Sequence, residues 1–208
     1  MRADSMTCVV SHLVVAVAGA FALATCLSAG AKEPAVRLSA CANCHGADGN
    51  AKQIEVPSLA SQPKTFLENQ MIMIREGLRE IPSKRGQFDD LTDPEIIALA
   101  KHFSSQRISP SADKRDSQLF ERGQAAARDC SAAPCHLSNY EGRDQMPRLA
   151  GQKENYLLET MRKFKTNQAL GRDTIMAASL YGVSDEDLKA MAHYFSRLGE
   201  PRAPEKNR

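Results

Sequence analysis

Cys41-Ala42-Asn43-Cys44-His45 sets two thiols and an imidazole within one short stretch. A C-x-x-C pair alone also serves redox dithiols and zinc sites. A histidine directly after the second cysteine points to covalent haem attachment instead. The spacing lets two thiols add to the two vinyl groups of one porphyrin while the histidine reaches the iron from the same side. Gly46, Asp48 and Gly49 follow, as expected for a tight turn leading away from the iron.

Outward from this stretch, the chain repeats itself at a period of about ninety residues, and such self-similarity constrains the fold before anything else. Cys41 to His45 answers Cys130-Ser131-Ala132-Ala133-Pro134-Cys135-His136, and Pro57-Ser58-Leu59-Ala60-Ser61-Gln62 answers Pro147-Arg148-Leu149-Ala150-Gly151-Gln152. Leu91-Thr92-Asp93 answers Val183-Ser184-Asp185, and Phe103-Ser104 answers Phe195-Ser196. The second cysteine pair has a wider spacer, which predicts an extra loop ending at Pro134. A haem-free copy or a Cys130–Cys135 disulfide are the alternatives there. His136 is followed by Leu137 rather than glycine, which predicts a different exit turn.

The intervening segments carry a helical period. Leu67, Met71, Ile74 and Leu78 predict one helix face, and Leu157, Met161 and Phe164 its counterpart. Ile96, Leu99, Ala100 and Phe103 form a second stripe, matched by Leu188, Met191, Ala192 and Phe195. Thr92 with Glu95 predicts a capping box, and Ser184 with Asp187 a weaker one. No segment alternates as a strand would. The fold class expected is all-α, two tandem domains of a few short helices around a haem. The expected boundaries are 32–106 for the first domain, 107–116 for a linker, 117–199 for the second and 200–208 for a flexible tail.

The N-terminus reads as an export signal. Arg2 precedes an apolar run from Leu13 to Ala24, and Ala29-Gly30-Ala31 reads as a cleavage site, so 1–31 is expected to be a signal peptide. Cys8 and Cys26 leave with it. An uncleaved anchor, or lipidation at Cys26, are the other readings. The net charge of +2 gives no reason to expect nucleic acid as a partner.

The chain resembles, over nearly all of the expected mature region, two-domain, two-haem class I cytochromes c of the cytochrome c4 group. In that group each domain has a Pro-x-Leu-Ala-Gly-Gln stretch, a helix, a loop methionine opposite the histidine, and a final helix that opens Leu-Ser-Asp and closes Tyr-Phe-Ser. The second half follows this pattern through Pro147 to Gln152, Met176, Ser184-Asp185-Glu186 and Tyr194-Phe195-Ser196. The resemblance implies two haem c groups, attached through Cys41, Cys44, Cys130 and Cys135. It implies iron ligation by His45, His136 and Met176. The first half departs from it. The position matching Met176 is Lys84, in Ile81-Pro82-Ser83-Lys84-Arg85-Gly86. Lys84 as a deprotonated amine, Met71 or Met73 from the preceding helix, or an open position all remain as readings of the sixth ligand. Phe66 and Tyr156 are expected against the haems. His102 and His193 are expected on the surface or in packing, Arg148 exposed, with pairing to a haem propionate as its other reading, and Met146 without a distal role. The function implied is a periplasmic electron shuttle. Its partners would be redox proteins such as a respiratory complex, a dehydrogenase or a terminal oxidase, with membrane association only if the N-terminal segment is retained or lipidated. The alternative is a haem enzyme, or an oxidoreductase subunit, with the first haem as its centre.

Overall fold

The structure, a computed structural model, describes residues 34–109, 111, 113–130, 132–169 and 173–199. The expected signal segment with Cys8 and Cys26, and the expected tail 200–208, lie outside these. Among the described residues there are helices and no strands, only an isolated bridge between Arg143 and Met146. The first half holds α1 (Pro34–His45), α2 (Lys64–Arg75), a single 3-10 turn (Pro82–Lys84) and α3 (Asp93–Ser105). The second holds α4 (Ser117–Asp129), α5 (Ala132–His136), α6 (Glu154–Lys165), α7 (Thr174–Ser179) and α8 (Asp185–Ser196). No described helix is long and apolar enough to cross a membrane.

The stripes read from the sequence become the two cores. Ile96, Leu99, Ala100 and Phe103 of α3 are all buried, and α1 and α2 pack against that helix. Leu188, Met191, Ala192 and Phe195 of α8 are buried likewise, beneath α4 and α6. Here α8 goes beyond its expected stripe: Ala190, His193, Tyr194 and Ser196 are buried too. Phe120 and Tyr140 meet Tyr194 edge-on at 4.9 and 5.8 Å, an aromatic cluster within the second core.

Leu78 does not join the α2 face as predicted. The helix stops at Arg75, where Gly77 takes φ +70° and the Glu76 and Gly77 N–H groups bond back to Ile72 and Ile74 carbonyls. Leu78 is left 60% exposed.

Both N-caps form. The Thr92 N–H donates to Glu95 Oε2 at 2.8 Å, and Ser184 Oγ accepts from the Asp187 N–H at 3.0 Å. Glu95 also receives Arg37 Nε from α1 at 3.1 Å, a buried ion pair joining the first and last helices of this half. Arg37 also reaches Asp90 at 2.9 Å. The Thr92 donors, with Arg37 adding to them, hold the Glu95 carboxyl below its ordinary range. A depressed carboxyl contributes stability that is complete above its ordinary pKa and is lost as pH falls through the lower folded value. Arg37→Ala should therefore destabilise the protein by about 1–3 kcal/mol at neutral pH. The gap from wild type should narrow as Glu95 protonates. Urea unfolding at a series of pH values checks this, and a gap constant from neutral to acid pH would count against it.

Candidate haem-attachment sites

The last turn of α1 carries the first set of donors. Cys41 and Cys44 are three residues apart on the helix, so they share one face. Cys41 is half-buried, Cys44 exposed, and His45 only 8% exposed. The His45 Nδ1 lies 2.8 Å from the Pro57 carbonyl oxygen. A carbonyl can only accept, so Nδ1 bears the proton and Nε2 keeps its lone pair. Burial lowers the pKa of His45, and the Lys84 charge pushes the same way against the Pro57 bond. The ring is thus neutral at neutral pH, as an iron ligand must be.

The second half reaches the same arrangement by another local route. The four-residue spacer is not the loop expected from the sequence. Helix α4 ends on Cys130, and a new short helix, α5, lifts Cys135 and His136. Pro134 falls in the first turn of α5, where its missing N–H removes no helical bond. His136 is 5% exposed, and its Nδ1 lies 2.9 Å from the Pro147 carbonyl. Burial lowers its pKa as well. The exit turn does not differ in hand. Leu137 takes φ +68° where Gly46 takes +80°. The turns then close alike: the Gly49 carbonyl accepts from the Leu59 and Ala60 N–H groups, and the Tyr140 carbonyl from those of Leu149 and Ala150. None of Cys41, Cys44, Cys130 and Cys135 is in a disulfide.

On the opposite side the halves differ. Met176 lies in α7 rather than in a loop, with the helix started by Asp173 accepting from the Ile175 N–H at 2.7 Å. It is half-buried against the second core, which Cys130 also borders. Lys84 closes the 3-10 turn and is half-buried, and its charge bears on both Cys41 and His45. Met71 packs against the first core, whereas the Met73 sulfur is approached by Gln70 Nε2 at 3.9 Å.

Other expectations divide. Phe66 packs against the first core and Tyr156 is half-buried. His102 sits edge-on to Phe103, with its Nε2 3.3 Å from the Ala47 carbonyl. His193 is a packing residue: its Nε2 accepts from the Asp116 N–H at 3.0 Å, and its Nδ1 lies 3.2 Å from Glu154. Met146 is held in the short bridge with Arg143. Arg148 is not exposed. Its side chain is 10% accessible, with Nε donating to the Ala150 carbonyl at 2.9 Å. Burial lowers its pKa, with Glu141 opposing from 3.7 Å.

The sequence reading missed the contact between the halves. Gln62 and Gln152, 4% and 3% exposed, each reach across to the other half's proline loop. Gln152 Oε1 accepts from the Ser58 N–H at 2.8 Å, and its Nε2 donates to the Ser58 carbonyl at 2.8 Å. Gln62 makes the matching pair with Arg148, both at 3.0 Å. The signal was present: a glutamine closes the repeated block in each half.

In each half, two free thiols stand beside a buried neutral histidine whose one open nitrogen is Nε2. This donor set fits a covalently held iron porphyrin and defines the chain as a class I c-type cytochrome with two haem-binding halves. Residues 33–102 match the family described as cytochrome C oxidase, cbb3-type, subunit III. Cytochrome c4 of Azotobacter vinelandii is 30% identical over 184 residues, covering 78% of this chain and 86% of the relative. Cytochrome c4 of Pseudomonas aeruginosa is 29% identical over 171 residues, covering 78% of this chain and 85% of the relative. The crystal structure of reduced recombinant cytochrome c4 from Pseudomonas stutzeri superposes with a TM-score of 0.73 at 26% identity, covering 82% of this chain and 99% of that one. A protein of Thiomonas intermedia described as a thiosulfate dehydrogenase electron acceptor is 25% identical over 208 residues, covering 94% of this chain and 93% of the relative. The chain belongs to the cytochrome c4 family. It is a dihaem electron-carrying cytochrome with two covalently bound haem c groups.

Proposed function

We propose that this chain is an exported periplasmic shuttle that passes single electrons between a donor enzyme or membrane complex and a terminal acceptor. The first haem is bonded to Cys41 and Cys44 with His45 as its proximal ligand. The second is bonded to Cys130 and Cys135 with His136 proximal and Met176 opposite. Lys84 is the sixth ligand of the first. The bound haems supply the one-electron couple. The chain's part is to hold two neutral imidazoles with Nδ1 tied down and Nε2 free. The observation that carries this reading is the repeated histidine–proline bond, 2.8 Å in one half and 2.9 Å in the other. Domains 32–106 and 117–199, the linker 107–116 and removal of 1–31 complete the proposal.

Lys84 rests on its matching place to Met176 and on its half-buried position at the end of the 3-10 turn. A lysine ligand must lose its proton on binding, so its hold on the iron weakens as pH falls. The test is a pyridine haemochrome assay on protein matured in a haem-attaching host, with magnetic circular dichroism of the oxidised form. Two haems per chain are expected, one of them with a nitrogen–nitrogen axial pair that Lys84→Ala abolishes. A single haem, or an unchanged spectrum in Lys84→Ala, would refute the respective assignment.

A second reading is favoured by one comparison. The Thiomonas relative is described as accepting electrons from thiosulfate dehydrogenase. In this chain the same role makes it the electron-transfer subunit of an oxidoreductase acting on a small inorganic sulfur compound. Reduction by such an enzyme with its substrate separates this from a general respiratory shuttle.

A further inference from the structure

The two glutamine bridges end on particular peptide groups. The Pro57 carbonyl that accepts His45 Nδ1–H belongs to the same peptide unit as the Ser58 N–H that donates to Gln152. In the other half, the Pro147 carbonyl that accepts His136 Nδ1–H shares its peptide unit with the Arg148 N–H that donates to Gln62. Each histidine therefore begins a chain of two hydrogen bonds that ends on a glutamine of the opposite half. Bonds in series through one peptide polarise each other, strengthening by roughly 10–30% each. Ser58 is 2% exposed and the glutamines and histidines are below one-tenth, while Pro57, Pro147 and Arg148 are half-buried.

We infer that Gln152 tunes the first haem and Gln62 the second, each acting from the opposite half through the peptide that holds the proximal histidine. This rests on the ligand assignment of His45 and His136 proposed above. The glutamine carbonyl pulls on the peptide N–H and makes the proline carbonyl a better acceptor. That carbonyl draws the Nδ1 proton and gives the imidazole more anionic character. A more basic ligand favours the oxidised iron and lowers the potential. Gln62 and Gln152 are positioning residues: neither lies on the iron's ligand list.

The test uses the full-length protein carrying both haems. Gln152→Leu and Gln62→Leu remove the amide. Gln152→Glu and Gln62→Glu keep an oxygen that accepts from the same N–H and are read instead if the leucine variants fail to fold. Potentials are measured by spectroelectrochemical titration, with each haem identified by the hyperfine-shifted proton resonances of its own half. Gln152→Leu should raise the potential of the first haem by about threefold in the reduced-to-oxidised ratio, where tenfold corresponds to ~59 mV for one electron. The second haem should move less. Gln62→Leu should do the reverse, and the glutamate variants should lower the potential of the opposite haem. Shifts confined to the haem of the mutated half, or none at all, overturn the inference. If the oxidised wild type lacks hyperfine-shifted ring protons from His45 and His136, the ligand assignment itself falls, and that result is separate from uncrossed potentials.

Discussion

Gly123→Ala is expected to destabilise the second half by about 3 kcal/mol, the upper end for an overpacked site. A Cβ built on Gly123 would lie 2.0 Å from the Ala190 carbonyl oxygen and 2.7 Å from Tyr194 Cβ. The nearest atom belongs to the backbone of a buried helix, so no rotamer change relieves the clash. Helices α4 and α8 must move apart, which loosens Phe120 from Tyr194 across a centroid distance of 4.9 Å. Intrinsic preference points the other way, since alanine is favoured over glycine inside a helix by about 1 kcal/mol. The sign of the effect therefore reports whether the helix crossing is as close as described. Because α4 ends on Cys130, the displacement also carries a thiol away from its place beside His136, and haem loading at the second site should fall. Denaturant midpoints together with haem per chain measure both effects. A variant as stable as wild type would show that the helices do not approach this closely.

Met176→Ala is expected to change redox behaviour far more than stability. The side chain is half-buried at the margin of the second core, so its loss removes little packing. As the sixth ligand it would set the potential: a thioether with an imidazole raises it, and losing the sulfur lowers it. A shift of at least tenfold in the reduced-to-oxidised ratio, ~59 mV, is expected for the second haem alone. Carbon monoxide should then bind its reduced form. A second haem with unchanged potential and no carbon monoxide binding in Met176→Ala would remove Met176 from the ligand set. The first haem serves as internal reference in the same titration.

What the sequence showed in advance were features written in neighbouring residues. The period of Ile96, Leu99, Ala100 and Phe103 was enough to place α3, because burial of one helix face leaves its mark every three or four positions. Both caps were legible for the same reason. The errors arose where the backbone overrode the side-chain pattern. Gly77 ended α2 before Leu78 could join its face. Leu137 accepted a left-handed conformation that a leucine ordinarily avoids. The hydrogen bonds that close the turn around it hold the backbone there, whatever the side chain. Arg148 was misread as exposed because a charged residue in a loop normally is, and its guanidinium instead folds back onto the Ala150 carbonyl and Glu141 of its own half. The glutamine bridges join residues more than eighty positions apart and have no local signature. Only their duplication marked them.

The bridges also bear on how such a chain can be divided. Cut between the halves, each piece would bare the amide it had lent and lose the one it had borrowed, at the very peptide that steadies its own histidine. A single-haem fragment would have to rebuild that shelter with a different residue before it could stand in for half of the parent. Doubling here has produced interdependence as well as repetition.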